Sequence, residues 1–183
     1  FPIKSNNRFY NTSFLAWTTT PWTLPSNLAL CVNPTMVYLK IWDKKKEHFF
    51  ILAEDLIKKV YNISNKNKIK DNYRIEESFM GSDLVGIEYE PPFKYFSNEK
   101  YFYVLADDFV KSNSEEKSGC GTGIVHLAPA FGADDFRVCV DNEIITKKGD
   151  RLICPIDESG NYNNNVSNFK GRYVKDCDKD IIK

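Results

Sequence analysis

Two prolines four residues apart limit what this chain can fold into more than any other feature. Pro21 and Pro25 lie in Thr18-Thr19-Thr20-Pro21-Trp22-Thr23-Leu24-Pro25-Ser26-Asn27, a stretch that also holds four of the eight threonines. Proline lacks an amide hydrogen, so neither position suits a central strand or a helix interior. The residues before them, Thr20 and Leu24, are pushed toward extended geometry. Strand-like runs flank the stretch, Ser13 to Trp17 on one side and Leu28 to Val32 on the other. The chain must therefore turn stiffly between two strands, with hydroxyls held at fixed places.

The remaining pattern is strand-rich. Met36 to Trp42 and His48 to Leu52 are apolar and aromatic, and Asp43 to Glu47 separates them, which predicts a hairpin. Ala53 to Tyr61 carries Leu56, Ile57 and Val60 at helical spacing and predicts a short helix. Tyr73 to Met80, Tyr101 to Leu105 and Asp150 to Cys154 read as strands, and Gly81 to Tyr89 is ambiguous. Asn62 to Asn72, Asn113 to Ser118 and Tyr162 to Asn168 read as polar loops. Gly119-Cys120-Gly121-Thr122-Gly123 leads into a strand-like run, Ile124 to Pro129. Gly132 to Val140 reads as the start of a helix, and Gly171 to Lys183 as the front of another with Val174, Cys177 and Ile181 on one face. About seven to nine short strands that do not alternate with helices predict an α/β fold. Its expected form is a mixed or antiparallel β-barrel core surrounded by a few short helices.

The 183 residues read as a single domain, residues 1–183. With 25 basic and 25 acidic residues the formal net charge is zero, against a surface wholly given to nucleic acid. No apolar run approaches the ~20 residues of a membrane span. The five cysteines, at 31, 120, 139, 154 and 177, are scattered without a C-x-x-C, so zinc spacing is absent and a reducing compartment is expected. Phe1-Pro2-Ile3-Lys4 has no initiator Met, and the chain stops within an amphipathic pattern; both ends read as cuts from a longer protein.

Three features can carry chemistry. The threonine stretch is either a plain turning strand or a pocket wall whose hydroxyls orient water or a ribose, with Trp22 as a flat surface and Asn27 as a polar reader. His126 is one of two histidines, and it is either a satisfied half-buried side chain or a hydrogen-bonding group at a strand end. Asp134 and Asp135 fall in a helix's first turn, where either stabilises the dipole by ~0.3–1 kcal/mol. They point about 100° apart, so one can cap while the other faces a pocket and binds an ammonium group. A Cys120–His126 nucleophile requires the glycine run to fold back. A metal site at His126, Asp134 and Asp135 has one good nitrogen ligand, so no metal is expected. A P-loop is disfavoured because a strand follows the glycines.

Residues 17–27 (WTTTPWTLPSN) resemble the threonine-rich signature of the isoleucyl-tRNA synthetase editing domain. Residues 121–135 (GTGIVHLAPAFGADD) resemble its second signature, and Gly171 to Asp176 resembles the stretch where this insertion rejoins the synthetase body. Thr-Thr-Thr-Pro-Trp, rather than Thr-Thr-Arg-Pro, points to the isoleucyl type over the leucyl and valyl types. The resemblance implies an aminoacyl-tRNA ester hydrolase that removes valine from tRNA(Ile) and acts on valyl-adenylate too. For this enzyme class the problem is a known one: a missing methylene gives only ~150-fold discrimination, so a second sieve is needed.

By the same resemblance Asp135 holds the α-ammonium, and Thr18, Thr19 and Thr20 position water and the terminal adenosine. His126 lines the side-chain pocket, and Trp22 and Asn27 contact the adenosine or its ribose. The resemblance implies no cofactor in this segment, the parent synthetase using ATP and Mg. It also implies a cytoplasmic monomer whose partners are the tRNA(Ile) acceptor end and the rest of the synthetase. Zero net charge suits a domain that receives only the tip of a tRNA. A non-catalytic RNA-binding module using Lys44-Lys45-Lys46, Lys147-Lys148 and Arg151 is the alternative, and a metal- or cysteine-dependent hydrolase is a third.

Overall fold

The computed structural model describes residues 1–4, 7–61, 72–98, 100–111 and 121–183. The expected loop at 62–72 is described only at Asn72, and the loop at 113–118 and Cys120 lie outside the described residues. The chain forms two compact units: Phe1–Trp17, Leu30–Glu90 and Tyr103–Val125 in the first, Thr18–Ala29, Pro91–Phe102 and His126–Lys183 in the second.

The strands are β1 (Thr12–Phe14), β2 (Ala29–Val32), β3 (Val37–Asp43), β4 (His48–Ala53), β5 (Tyr73–Met80), β6 (Tyr103–Ala106) and β7 (Ile124–Leu127). In the first unit they make a four-stranded sheet of order β1-β4-β3-β5 and a three-stranded one of order β6-β2-β7. Ala29 of β2 and the last two residues of β7 are counted with the second unit.

The expected hairpin is β3–β4, antiparallel with Tyr38 opposite Ala53 and Asp43 opposite His48. Its turn is set locally: Asp43 Oδ1 accepts the amides of Lys45 and Lys46, each at 2.9 Å, and Glu47 takes φ 49°. β5 adds antiparallel to β3 with an irregularity between Lys40 and Ile41. β1 runs parallel to β4, so the sheet is mixed. The α/β class is as expected, but β1 and β5 remain edges, and no closed barrel is present among the described residues.

Leu39, Ile41, Leu52, Ile57 and Tyr73 form one core cluster of this unit. A 3₁₀ turn, Glu54–Leu56, leads into α1 (Ile57–Val60), shorter than the spacing predicts. The glycines before β7 serve the backbone. Gly123 has φ 76°, and a Cβ on it would lie 2.4 Å from the Ala53 Cβ. Its carbonyl accepts the Tyr38 hydroxyl at 2.7 Å.

The second unit contains a 3₁₀ turn at Pro21–Ser26, α2 (Ala133–Asp141) and α3 (Val174–Ile181). Val174, Cys177 and Ile181 are buried on one face of α3, as their spacing predicts. They cluster with Tyr162, Val166 and Phe169, and partly buried Trp22 and Leu24 pack against them. Full burial of such side chains contributes ~1.5–3 kcal/mol each. The strand expected at Asp150–Cys154 is absent. Gly149 and Arg151 take φ 83° and 68°, and the Leu152 amide closes a turn onto the Gly149 carbonyl at 2.9 Å.

Candidate functional site

Pro25 lies inside the 3₁₀ turn Pro21–Ser26, where the sequence reading admits no helix interior. The reason is visible in the hydrogen bonds. A 3₁₀ helix bonds each amide to the carbonyl three residues back, so proline at 25 leaves the Trp22 carbonyl without that partner. The Tyr162 hydroxyl donates to this carbonyl at 2.6 Å. Pro21 occupies the first turn, where its missing amide costs nothing. The next amide, Trp22 N–H, has no cap from Thr20 and donates instead to Asp178 Oδ1 at 2.9 Å.

Three residues per turn bring Thr20 and Thr23 onto one side. The Thr20 amide donates to Thr18 Oγ1 at 3.0 Å, and the Thr20 hydroxyl lies 3.4 Å from both the Thr18 and the Thr23 hydroxyls. Thr23 Oγ1 donates to the Thr20 carbonyl at 2.9 Å and lies 3.0 Å from His126 Nε2. A carbonyl only accepts, so the hydroxyl proton goes to it, and the imidazole Nε2–H donates to Thr23 Oγ1. His126 Nδ1 is then an unprotonated acceptor.

The backbone explains why residues 103 apart meet here. The Leu28 amide donates to the Leu127 carbonyl at 3.0 Å, and the Phe102 amide to the Leu28 carbonyl at 2.7 Å. This seats the exit from the proline turn beside the strand end that carries His126.

His126 is 7% exposed, and burial pushes its imidazole down to about 4. It is neutral at pH 7, and its ring meets the Thr23 hydroxyl as a neutral hydrogen-bonding partner. Burial favours the neutral form, so its stabilising effect is complete above the unfolded value near 6.5 and is lost as pH falls through about 4. Between those values the wild type should lose up to about 3 kcal/mol through this residue alone. Urea unfolding of wild type and His126→Asn across pH 4–7 checks this, and parallel acid limbs would refute it.

Asp134 and Asp135 divide as a 100° separation allows. Asp134 is exposed and pairs with Arg137 at 3.2 Å. Asp135 is half-buried, and its Oδ2 accepts the Ala128 amide at 2.9 Å, bracing the residue just after β7. Desolvation raises its carboxyl above the ordinary value, and the Ala128 amide opposes that rise. Gly132, ahead of α2, leaves the space: a Cβ there would lie 2.9 Å from Asp135 Cγ and Oδ1.

Thr18, Thr20 and His126 are thus joined through Thr23, which sequence reading did not single out. Its signal is the i, i+3 spacing from Thr20 across a proline-started turn. Trp22 joins at one remove, edge-on to Phe131 with ring centroids 5.0 Å apart and under the Lys175 ammonium at 5.4 Å. Thr19 is exposed. Asn27 is buried and its side-chain amide donates to the Ala29 carbonyl at 2.9 Å, so that donor braces the backbone. Among the described residues, the buried side-chain polar atoms without a partner are Trp22 Nε1, Ser26 Oγ and His126 Nδ1. All three fall in the two signature stretches, and buried polar atoms of this kind call for a water, a ligand or a functional reason. No three His, Cys, Asp or Glu among the described residues are grouped to share a metal ion. No described helix is long and apolar enough to cross a membrane.

No family model matches the chain. In fold it is similar to a leucyl-tRNA synthetase domain, GlLeuRS-CP1, with a TM-score of 0.64 and 18% identity, covering 96% of this chain and 82% of that one. It is also similar to the cytosolic leucyl-tRNA synthetase editing domain of P. knowlesi, with a TM-score of 0.61 and 17% identity over 96% and 82%. The fold is therefore that of the class I synthetase editing domains. In sequence the chain is 44% identical over 207 residues to the cytoplasmic isoleucine–tRNA ligase of Arabidopsis thaliana, covering all of this chain and 17% of the relative. It is 49% identical over 175 residues to the Saccharomyces cerevisiae cytoplasmic enzyme, covering 94% of this chain and 15% of the relative. The Tetrahymena thermophila isoleucine–tRNA ligase is 50% identical over 175 residues, with 94% and 15% covered. The chain is homologous over its whole length to one segment of the isoleucyl-tRNA synthetases, and it spans about a sixth of the relatives it matches.

Proposed function

We propose that the chain edits for a cytoplasmic isoleucyl-tRNA synthetase by hydrolysing the ester that joins valine to tRNA(Ile). The observation that carries this reading is the 3.0 Å contact between Thr23 of the first signature and His126 of the second, amid buried unpartnered polar atoms. The ester is already activated, so no covalent nucleophile is needed. Water adds to the acyl carbon, the carbon–oxygen ester bond breaks, and the ribose oxygen leaves with a proton. Valyl-adenylate presents the same acyl carbon and is a second substrate. Positioning of water beside the neighbouring ribose hydroxyl supplies much of the rate.

In this mechanism Asp135 binds the α-ammonium of the misattached residue, and neutral His126 bounds the side-chain pocket. Thr18, Thr19 and Thr20 orient the water and the terminal adenosine, with Trp22 and Asn27 shaping the adenosine side. The partners are the 3′ acceptor end of tRNA(Ile) and the rest of the synthetase, to which ATP and Mg belong, and the protein works as a monomer. Deacylation of valyl- against isoleucyl-tRNA(Ile) tests the reading, and equal rates on both would refute it.

The threonine hydrogen bonds are local, each worth about 1 kcal/mol. Thr18→Ala, Thr19→Ala and Thr20→Ala combined should slow valyl-tRNA deacylation at least about tenfold while costing no more than about 2–3 kcal/mol of stability, so that the protein stays folded. An unchanged rate would leave the stretch as a turn and nothing more.

A further inference from the structure

We propose that Asp178 and Tyr162 are positioning residues for the threonine-rich turn, an inference that rests on the editing function above. The two polar groups of the Trp22 residue's backbone lack the usual 3₁₀ partners. Its amide lies in the first turn of a 3₁₀ helix whose preceding residue offers no side-chain cap. Its carbonyl is the one that Pro25, having no amide, cannot serve. Both are held from far along the chain: the amide by Asp178 Oδ1 at 2.9 Å, 156 residues away, and the carbonyl by the Tyr162 hydroxyl at 2.6 Å, 140 residues away.

Asp178 is on α3, which packs against the turn, and Tyr162 is a member of the core cluster that α3 helps to build. Lys175, one turn before Asp178, sits over the Trp22 ring at 5.4 Å. The turn is therefore pinned on both sides of one residue. Thr20 and Thr23 are two residues before and one after that point, and Thr23 is the hydroxyl that contacts His126. A shift of Trp22 moves every hydroxyl of the chain Thr18–Thr20–Thr23 relative to His126. Neither Asp178 nor Tyr162 touches the reacting atoms in this scheme; they act through the turn.

The test uses the full-length synthetase with Asp178→Ala, Asp178→Asn and Tyr162→Phe. The asparagine variant keeps an acceptor oxygen for the Trp22 amide and removes the charge. Three properties are measured: isoleucylation, valyl-tRNA(Ile) deacylation, and hydrogen exchange of peptides covering 18–27. With normal isoleucylation as the fold control, Asp178→Ala should exchange about tenfold faster at the turn and lose about tenfold in deacylation kcat, with KM within about twofold. Asp178→Asn should restore both, and Tyr162→Phe should lower kcat in the same way. Unchanged exchange in Asp178→Ala would overturn the proposal, as would an asparagine variant as impaired as the alanine one. If the wild type fails to deacylate valyl-tRNA, the editing function falls, whereas the exchange contrast between alanine and asparagine still decides whether Asp178 holds the turn.

Discussion

Asp135→Ala should lower deacylation of valyl-tRNA(Ile) by about 10³-fold while the protein stays folded. An ammonium bound to a desolvated carboxylate loses the strength of a charge-assisted pair when the carboxylate goes, an effect of about 3–5 kcal/mol. The folded state should tolerate the change. Burial raises the Asp135 carboxyl above its ordinary value, which means that the ionised group is held at some cost to folding at neutral pH. What the fold loses in return is the hydrogen bond to the Ala128 amide, worth about 1–2 kcal/mol, and a lesser one to the residue's own amide.

A control isolates the ammonium. An ester of the α-hydroxy analogue of valine has no positive charge to bind, so wild type and Asp135→Ala should hydrolyse it at similar rates. Asp135→Asn keeps the Ala128 contact but not the charge, and it should behave like alanine toward valyl-tRNA. Full activity in either variant would remove Asp135 from the site.

What the sequence made legible depended on the range of the forces involved. The β3–β4 hairpin and α2 follow from apolar, aromatic runs around an Asp-led turn and from acidic residues at a helix start, all acting within about ten residues. That Asp134 and Asp135 point apart follows from helical geometry, whereas which of them is half-buried does not. Asp150–Cys154 failed as a strand because positive φ at Gly149 just before it and at Arg151 within it bends the backbone, and residue type does not announce an arginine in that region. Pro25 inside a helix failed for a different reason. The rule that excludes it assumes that nothing outside the helix serves the abandoned carbonyl, and Tyr162 does so from 140 residues away. The same distance hides Asp178. Thr23 was missed through local geometry, since a 3₁₀ period of three places it on Thr20's side, whereas strand alternation does not.

Gly132→Ala should cost about 10²-fold in deacylation with a stability loss no larger than the Ala128 hydrogen bond, about 1–2 kcal/mol, and the contrast between those effects is informative. Gly132 has φ −143° and ψ 137°, extended geometry that alanine adopts without strain. The new methyl meets no backbone among its nearest neighbours. It meets Asp135 Cγ and Oδ1 at 2.9 Å, closer than real Cβ contacts come, and Oδ2 at 3.2 Å, tighter than most of them. The carboxylate is the movable partner, so it rotates away and the fold keeps its shape. Misplacing a binding group by about 1 Å can cost on the order of 10² in rate.

The mechanism predicts non-additivity. Because Gly132→Ala acts only through Asp135, the double variant with Asp135→Ala should be no slower than Asp135→Ala alone, a coupling near the whole effect of the glycine change. Deacylation rates and melting of the four proteins in the cycle settle it. Additive losses, or a melting drop to match the rate, would mean that Gly132 supports the helix start and does not make room for the carboxylate.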